Sequence, residues 1–317
     1  MKENIKNKIP SSVIIKTYYE YTKKLLESNY FNSVIEQIMS YIKEHPKNYE
    51  NLEIEAKLGH FEFRGQGVKA LEKITETFII PESIESSNAS NKYVFNAGIP
   101  QKNFFLIWSA LDKESKLKGA NIDCLKAQTY KDTLYKNNKR HSLIYQDGKI
   151  IKEETIRKEN KKNINVRNCG YDFRITCSEE MPIEINPVED IKYNERDKFR
   201  ISYQLNFFRV DLTISKDEKS NDYGYEIEIE LNKLKDELVK VQKIDENNIR
   251  TILNIFIQNI MNLYSVLLPE AIYNNSKHEE DLNYDQGINK HLSPKDIQSR
   301  YGNYFRNNLS KKINNKN

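Results

Sequence analysis

The sequence predicts an α+β fold, a barrel or sandwich of about eight or nine short antiparallel strands flanked by helices. Three observations carry that expectation. Between Ala127 and Leu231 the chain breaks into short runs rich in β-branched and aromatic residues, divided by turn signals. Several of these runs place charges at strict two-residue spacing, with apolar residues between them. Helical patterns lie on both sides of the strand-rich region.

Taken in order, residues 1–48 read as a polar start followed by an amphipathic helix. Tyr18, Tyr21, Leu25, Tyr30, Val34, Ile38 and Ile42 recur at near-helical spacing, and Pro46 ends the run. "NLEIEAKLG" (Asn51–Gly59) then alternates as a strand. "GQGVKALEKITETF" shows no clear period, and "SIESSNASNKYVFNAG" reads as a loop from its Ser and Asn content. "KNFFLIWSALDKESKL" has a helical stripe of Phe104, Phe105, Ile107, Trp108 and Leu111, better explained as core than as a base-stacking platform.

The strand candidates that follow are "AQTYKDTLYK", "KRHSLIYQ", "KIIKEETIRKE", "NINVRN", "GYDFRITCSEE", "DKFRISYQL", "FFRVDLTIS" and "GYEIEIEL". Asp147-Gly148 between two of them is a strong hairpin signal. One or two helices come next, with Leu238, Val241, Ile244, Ile249, Ile252, Ile255, Ile260 and Leu263 as apolar positions. Residues 49–268 therefore form the expected main domain, and 269–317 a polar, flexible tail.

Composition excludes several classes. With 50 basic and 46 acidic residues among 317, the net charge of +4 implies no bulk binding to polyanions. The N-terminus shows no secretory pattern, so Cys124, Cys169 and Cys177 are expected as free thiols. No apolar run reaches the roughly 18–20 residues that span a bilayer, so no membrane association is expected. There is no GxxxxGK[ST] loop, no CxxxxxR loop, and no zinc spacing among His45, His60, His141, His278 and His291. "GQG" at Gly65–Gly67 reads as a turn, and "RKENKK" (Arg157–Lys162) as a solvated strand end.

The charged rows carry the chemistry. Residues i and i+2 of a strand share a face, about 6.6 Å apart. Glu53, Glu55 and Lys57 thus stand opposite Ile54, Ala56 and Leu58. Arg174, Thr176 and Glu180 oppose Phe173, Ile175 and Cys177; Lys198, Arg200 and Ser202 oppose Phe199, Ile201 and Tyr203. Arg209, Asp211 and Thr213 oppose Val210, Leu212 and Ile214, and Glu226, Glu228 and Glu230 oppose Ile227, Ile229 and Leu231. A solvated strand face normally mixes its charges, because like charges in a row repel. Here acid rows and base rows occupy separate strands, as walls facing a common space would. A closed barrel with a polar interior and an apolar, helix-covered exterior satisfies both faces. Enclosed carboxylates suit a hard divalent cation, and an enclosed Arg/Lys wall suits a polyphosphate.

These motifs resemble the fungal and protozoan type of mRNA 5′-triphosphatase, the capping enzyme beta-subunit type of the triphosphate tunnel metalloenzyme superfamily. The resemblance covers roughly residues 49–265 and rests on "LEIEAKLG", "YDFRITCSEEMP", "DKFRISY", "FRVDLT" and "YEIEIEL" in that order. It implies an eight-stranded antiparallel tunnel that hydrolyses the γ-phosphate of triphosphate-ended RNA, the first step of cap formation, with metal-dependent NTPase activity besides. By motif position Glu53, Glu55 and Glu230 would bind Mg²⁺ or Mn²⁺, with Glu228 beside them. Arg140, Lys198, Arg200 and Arg209 would grip the phosphates, joined by Arg174 and by Lys158 or Arg157. Glu180 and Asp211 would orient the attacking water or hold the basic residues in place.

The family usually has an aromatic residue after the ExExK lysine; Leu58 stands there instead, and a packing difference is expected. The resemblance further implies a separate RNA guanylyltransferase as partner, since no KxDG motif is present, and nuclear residence, or cytoplasmic if the host is a virus. It also admits a homodimer. Two other functions compete: a tunnel tripolyphosphatase, thiamine-triphosphatase or adenylate cyclase, and a non-catalytic barrel that binds RNA or protein.

Overall fold

The computed structural model describes residues 29–63, 78–80, 93–167, 171–186, 190–220, 222–232, 234, 238–239 and 245–276. Tyr18, Tyr21, Leu25, Gly65–Gly67, most of the Ser/Asn-rich loop, Cys169, Val241, Ile244, His278 and His291 lie outside them. The chain divides into two compact units, Met1–Ile272 and Tyr273–Asn317, and the strands all belong to the first.

Eight strands close on themselves through antiparallel pairs. They are β1 (Leu52–Phe63), β5 (Gln128–Tyr135), β6 (Lys139–Gln146), β7 (Lys149–Arg167), β8 (Asp172–Pro182), β9 (Lys192–Gln204), β10 (Arg209–Asp217) and β11 (Tyr223–Glu230). The order runs β10–β11–β1–β8–β7–β6–β5–β9, and β9 pairs back on β10. Strands β5 to β8 form one meander and β9 to β11 another. The seams are β1, inserted between β8 and β11, and the β5–β9 pair. Three short strands extend the wall: β2 (Phe78–Ile80) on β7, β3 (Tyr93–Ala97) on β1, and β4 (Asp123–Cys124) on β9. The expected eight-stranded barrel is therefore present, with three accessory strands that the sequence pattern does not separate.

Turn chemistry fits the hairpins. Asp147 and Gly148 take φ of 51° and 78°, and Asn137 and Asn138 take 71° and 59°, the left-handed pairs that match strand twist in a two-residue turn. The runs "KIIKEETIRKE" and "NINVRN" prove to be one 19-residue strand, β7. The polar "ENKKN" between them is a bulge, absorbed by Asn160 at φ 49°, rather than a turn. Gly59 follows the first motif for a steric reason: a Cβ there would stand 2.2 Å from the Asn96 carbonyl oxygen.

The outer face of the barrel is apolar and buried. Ile54, Ala56, Leu58, Phe173, Ile175, Cys177, Phe199, Ile201, Tyr203, Val210, Leu212, Ile227 and Ile229 all lie in the core. Leu58 is only 2% exposed, so the non-aromatic residue at that position is accommodated by packing. Helix α1 (Asn29–Glu44) approaches β2 and β7, and α2 (Gln101–Ser115) approaches β11 and β4. Phe104 of α2 meets Tyr225 at 5.4 Å between ring centroids, and Trp108 meets Phe199 at 6.5 Å, so this aromatic stripe is core. Helix α3 (Glu246–Ser276) is tied to α1 by Arg250–Glu36 and Lys43–Glu246 ion pairs. It runs on through Pro269, beyond the expected start of the polar tail. Its buried stripe includes Ile249, Ile252, Leu253, Phe256, Ile257 and Ile260, whereas Ile255 is 36% exposed and does not join the core as expected.

Candidate active site

Strand register turns the rows of charge into the lining of a tunnel. On β1, Glu53, Glu55 and Lys57 lie opposite Ser178, Thr176 and Arg174 of β8. On β11, Glu230 and Glu228 lie opposite Arg209 and Asp211 of β10, which in turn face Gln204 and Ser202 of β9. Lys198 and Arg200 lie on the same side of β9, and Arg140 and Lys158 enter from β6 and β7. Every predicted site residue, Glu53, Glu55, Arg140, Lys158, Arg174, Glu180, Lys198, Arg200, Arg209, Asp211, Glu228 and Glu230, therefore faces one enclosed space. Of the two candidates Lys158 and Arg157, the register selects Lys158, which pairs with Glu180; Arg157 turns the other way and bonds Glu159.

Around β1 the carboxylates are pressed together. Lys158 Nζ donates to Glu53 and lies 3.3 Å from Glu55 and 3.6 Å from Glu180. Ser178 donates to Glu53 at 3.0 Å. Burial and the charge of Glu55, partly offset by Lys158, push the Glu53 carboxyl up to about 8. Burial opposes the charge of Glu55 too, but Lys57 and Lys158 outweigh it and hold that carboxyl below its usual range. Across the β1–β11 pair Glu55 stands directly opposite Glu230, a like-charge juxtaposition that destabilises a sheet unless something neutralises it.

A second network spans β9 to β11. Lys57 donates to Glu228 at 2.7 Å, and Arg200 reaches Glu228 at 2.9 Å and Asp211 at 3.0 Å. Despite burial, Lys57, Arg200 and Lys198 keep Glu228 ionised, well below the ordinary carboxylate range. Arg209 forks onto Asp211 at 2.8 and 3.0 Å and also reaches Glu230. Asp211 thus anchors two arginines and accepts from Ser202 at 2.6 Å as well, which makes it a positioning group. Glu180 is held more loosely, 3.5 Å from Arg140, and its Oε1 has no hydrogen-bond partner. Arg140 Nε likewise has none.

Several lining residues escape the sequence reading. Arg196 continues the Lys198–Arg200 row by one more alternation and pairs with Asp217 at 2.6 Å and Glu226 at 3.6 Å. Its two-residue offset from Lys198 is the signal that finds it. Asp132 holds Lys198 at 2.7 Å and accepts from Ser142 at 2.8 Å, and the Tyr130 ring lies 5.1 Å from the Arg200 guanidinium. On β5 a lysine, Lys131, alternates with them, so no clean charged row announces that strand.

Among the described residues no three carboxylate, histidine or cysteine side chains converge as a ready metal cage. Glu53, Glu55 and Glu230 nevertheless fit a hard divalent cation. All three donors are carboxylates, two of them stand opposite one another, and burial together with the charge of Glu55 makes the third costly to ionise without a counter-charge. Lys158 bridges Glu53 and Glu55, Lys57 lies 3.5 Å from Glu55, and Arg209 reaches Glu230, so a cation entering the cluster would share its carboxylates with these side chains.

A family model described as "mRNA capping enzyme, beta chain" matches residues 21–267. Among solved structures, the S. pombe Pct1 RNA triphosphatase is similar, with a TM-score of 0.58 at 18% identity over 73% of this chain and 91% of that one. The same protein in complex with the Spt5 CTD gives a TM-score of 0.57 at 17% identity, over 73% and 93%. At such identity the likeness speaks to the fold. No curated protein sequence gives a significant match.

Proposed function

Because the chain belongs to the mRNA capping enzyme beta-chain family, and is thereby an RNA 5′-triphosphatase, we propose that it removes the γ-phosphate inside this tunnel with a divalent metal. The observation that supports the placement most is the closed lining itself, in which the acidic strands β1 and β11 adjoin and face cations of β6, β7 and β9. Glu53, Glu55 and Glu230 would hold Mg²⁺ or Mn²⁺, which when bound supplies charge neutralisation at the γ-phosphate.

The chain's own residues do the rest. Arg140, Lys158, Lys198 and Arg200 bind the phosphate oxygens and align the terminal phosphorus for in-line attack, with Arg174 completing the lining. Arg140 is best placed to turn toward substrate, since its Nε is without a partner and its carboxylate neighbour Glu180 stands 3.5 Å away. Asp211 and Glu228 keep Arg200 and Arg209 at fixed positions, so that these cations meet developing charge without reorganising. Glu180 orients the water through its Oε1, which accepts no hydrogen bond and which Arg140 and Lys158 approach only at 3.5 and 3.6 Å. The new bond joins water oxygen to the γ-phosphorus, and the bond to the β–γ bridging oxygen breaks. Inorganic phosphate and a diphosphate-ended RNA result, the latter a substrate for a guanylyltransferase on a separate chain. Nuclear residence follows from that role.

The test is phosphate release from γ-³²P-labelled triphosphate RNA with Mg²⁺ or Mn²⁺, comparing wild type with Glu53→Ala and Glu230→Ala. Metal-dependent release by wild type and none by the folded variants is expected. Faster turnover of tripolyphosphate or thiamine triphosphate than of RNA would move the substrate assignment. No release from any triphosphate would sink the catalytic placement.

A further inference from the structure

The structure assigns one more phosphate-binding residue to the tunnel: Lys161, delivered to the lining by the bulge in β7. The inference rests on the triphosphatase reading and deepens it. Strands β7 and β8 pair as Lys158↔Glu180 and Glu159↔Glu179, and again as Lys162↔Cys177 and Asn163↔Thr176. Five steps along β7, from 158 to 163, thus answer four along β8, from 180 to 176, and β7 carries one extra residue. Asn160 absorbs it with a left-handed φ of 49° and turns its Nδ2 to Glu179, 3.1 Å away on the outer side. Lys162 pairs with Cys177, which is buried in the outer core. Lys161 is left to face Ser178, whose hydroxyl donates inward to Glu53. Without the bulge, the strand's alternation from Lys158 would send residue 161 outward.

The electrostatics agree with that placement. Although the residue keeps contact with solvent, the surrounding protein wall, then the nearby charges of Arg174 and Lys158, hold the Lys161 ammonium below its ordinary range, while Glu55 pulls the other way. The other tunnel lysines are each satisfied by a carboxylate: Lys57 by Glu228 at 2.7 Å, Lys198 by Asp132 at 2.7 Å, and Lys158 by Glu53. Among the described residues Lys161 forms no ion pair. An ammonium beside other cations, with no carboxylate paired to it among the described residues, recruits an anion, and the anion this tunnel receives is a phosphate group. Because the side chain is exposed and no partner fixes its position, it binds ground state and transition state alike.

Lys161→Ala, Lys161→Arg and Lys162→Ala test this, the last as an adjacent lysine on the outer side. Two readouts are needed: kcat and KM with triphosphate RNA, and the affinity of metal-free protein for inorganic tripolyphosphate by calorimetry. Lys161→Ala should raise both KM and the tripolyphosphate Kd about 5- to 10-fold, as for an exposed charge-assisted hydrogen bond, with kcat within about twofold. Lys161→Arg should recover most of that loss, and Lys162→Ala should match wild type. The assignment is overturned if Lys161→Ala binds tripolyphosphate as wild type does, or if Lys162→Ala weakens binding equally, since only net charge would then matter. Absence of phosphate release from wild type itself would count against the triphosphatase reading, while the calorimetric comparison would still decide the role of Lys161.

Discussion

The two faces of the same eight strands obey opposite rules. Outside, Ile54, Phe173, Ile201, Leu212 and Ile229 are buried against helices and one another, and hydrophobic burial holds them there. Inside, at intervening positions, Glu55, Arg209, Asp211 and Glu230 are held by ion pairs, and Ser202 by its hydrogen bond to Asp211. Ion pairs in an enclosed space gain little net stability, because desolvation offsets attraction. The outer face therefore makes the barrel, and the inner face is an arrangement that the barrel tolerates for its chemistry. Substitutions on the two faces should separate cleanly into losses of stability and losses of activity.

The sharpest way to break that contrast is at the acidic strands. Glu230→Ala, like Glu53→Ala, should lower phosphate release by about 10³-fold, the scale of losing a principal electrostatic group. Its melting temperature should stay near wild type, because relief of the Glu55–Glu230 repulsion offsets the lost Arg209–Glu230 contact and Arg209 keeps Asp211. A large loss of stability would show that the inner face builds the fold after all. On the outer face, Ile229→Ala should cost about 2–5 kcal/mol in denaturant titration. At temperatures where the variant is folded, kcat should be unchanged.

An intermediate case sharpens the comparison. Lys57 is an inner residue whose loss leaves Glu55 and Glu228 without their shared cation. Lys57→Met should therefore destabilise by about 1–3 kcal/mol, less than breaking a fully buried pair, and addition of Mg²⁺ should recover part of it. The smallest expected effect concerns Asp132. Burial opposes its charge, but Lys198 and Arg140 outweigh that and hold the carboxyl below its ordinary value. Such a group adds stability above the unfolded value of about 3.9 and loses it as pH falls through the folded value. The melting-temperature gap between wild type and Asp132→Asn should be present at pH 6 and close below about pH 4. A gap independent of pH would show that Asp132 acts through hydrogen bonding to Ser142 alone.

Much of this is legible in the amino-acid sequence alone. The rows at Glu53–Glu55, Lys198–Arg200, Arg209–Asp211 and Glu226–Glu230 could be read because a strand's side-chain period is two whatever its neighbours are. The same rule extended by one step finds Arg196. It fails on β5, where Lys131 alternates with inward Asp132, and on β7, where one extra residue at Asn160 moves Lys161 to the other face. A local polar run does not say whether the chain turns or bulges there, which is why β7 reads as two strands.

By itself the sequence determined that alternation, the hairpin turn at Asp147-Gly148, and the apolar surface that obliges helices to cover the barrel. Backbone geometry and short-range sterics set these, and they act over a few residues. Only the tertiary structure decided which rows face each other. Glu55 meets Glu230, and Lys158 meets Glu53, across 175 and 105 positions of chain respectively. Those meetings depend on β1 threading between β8 and β11. Charge pairing is a property of separation in space, and separation in space is fixed only when the sheet closes.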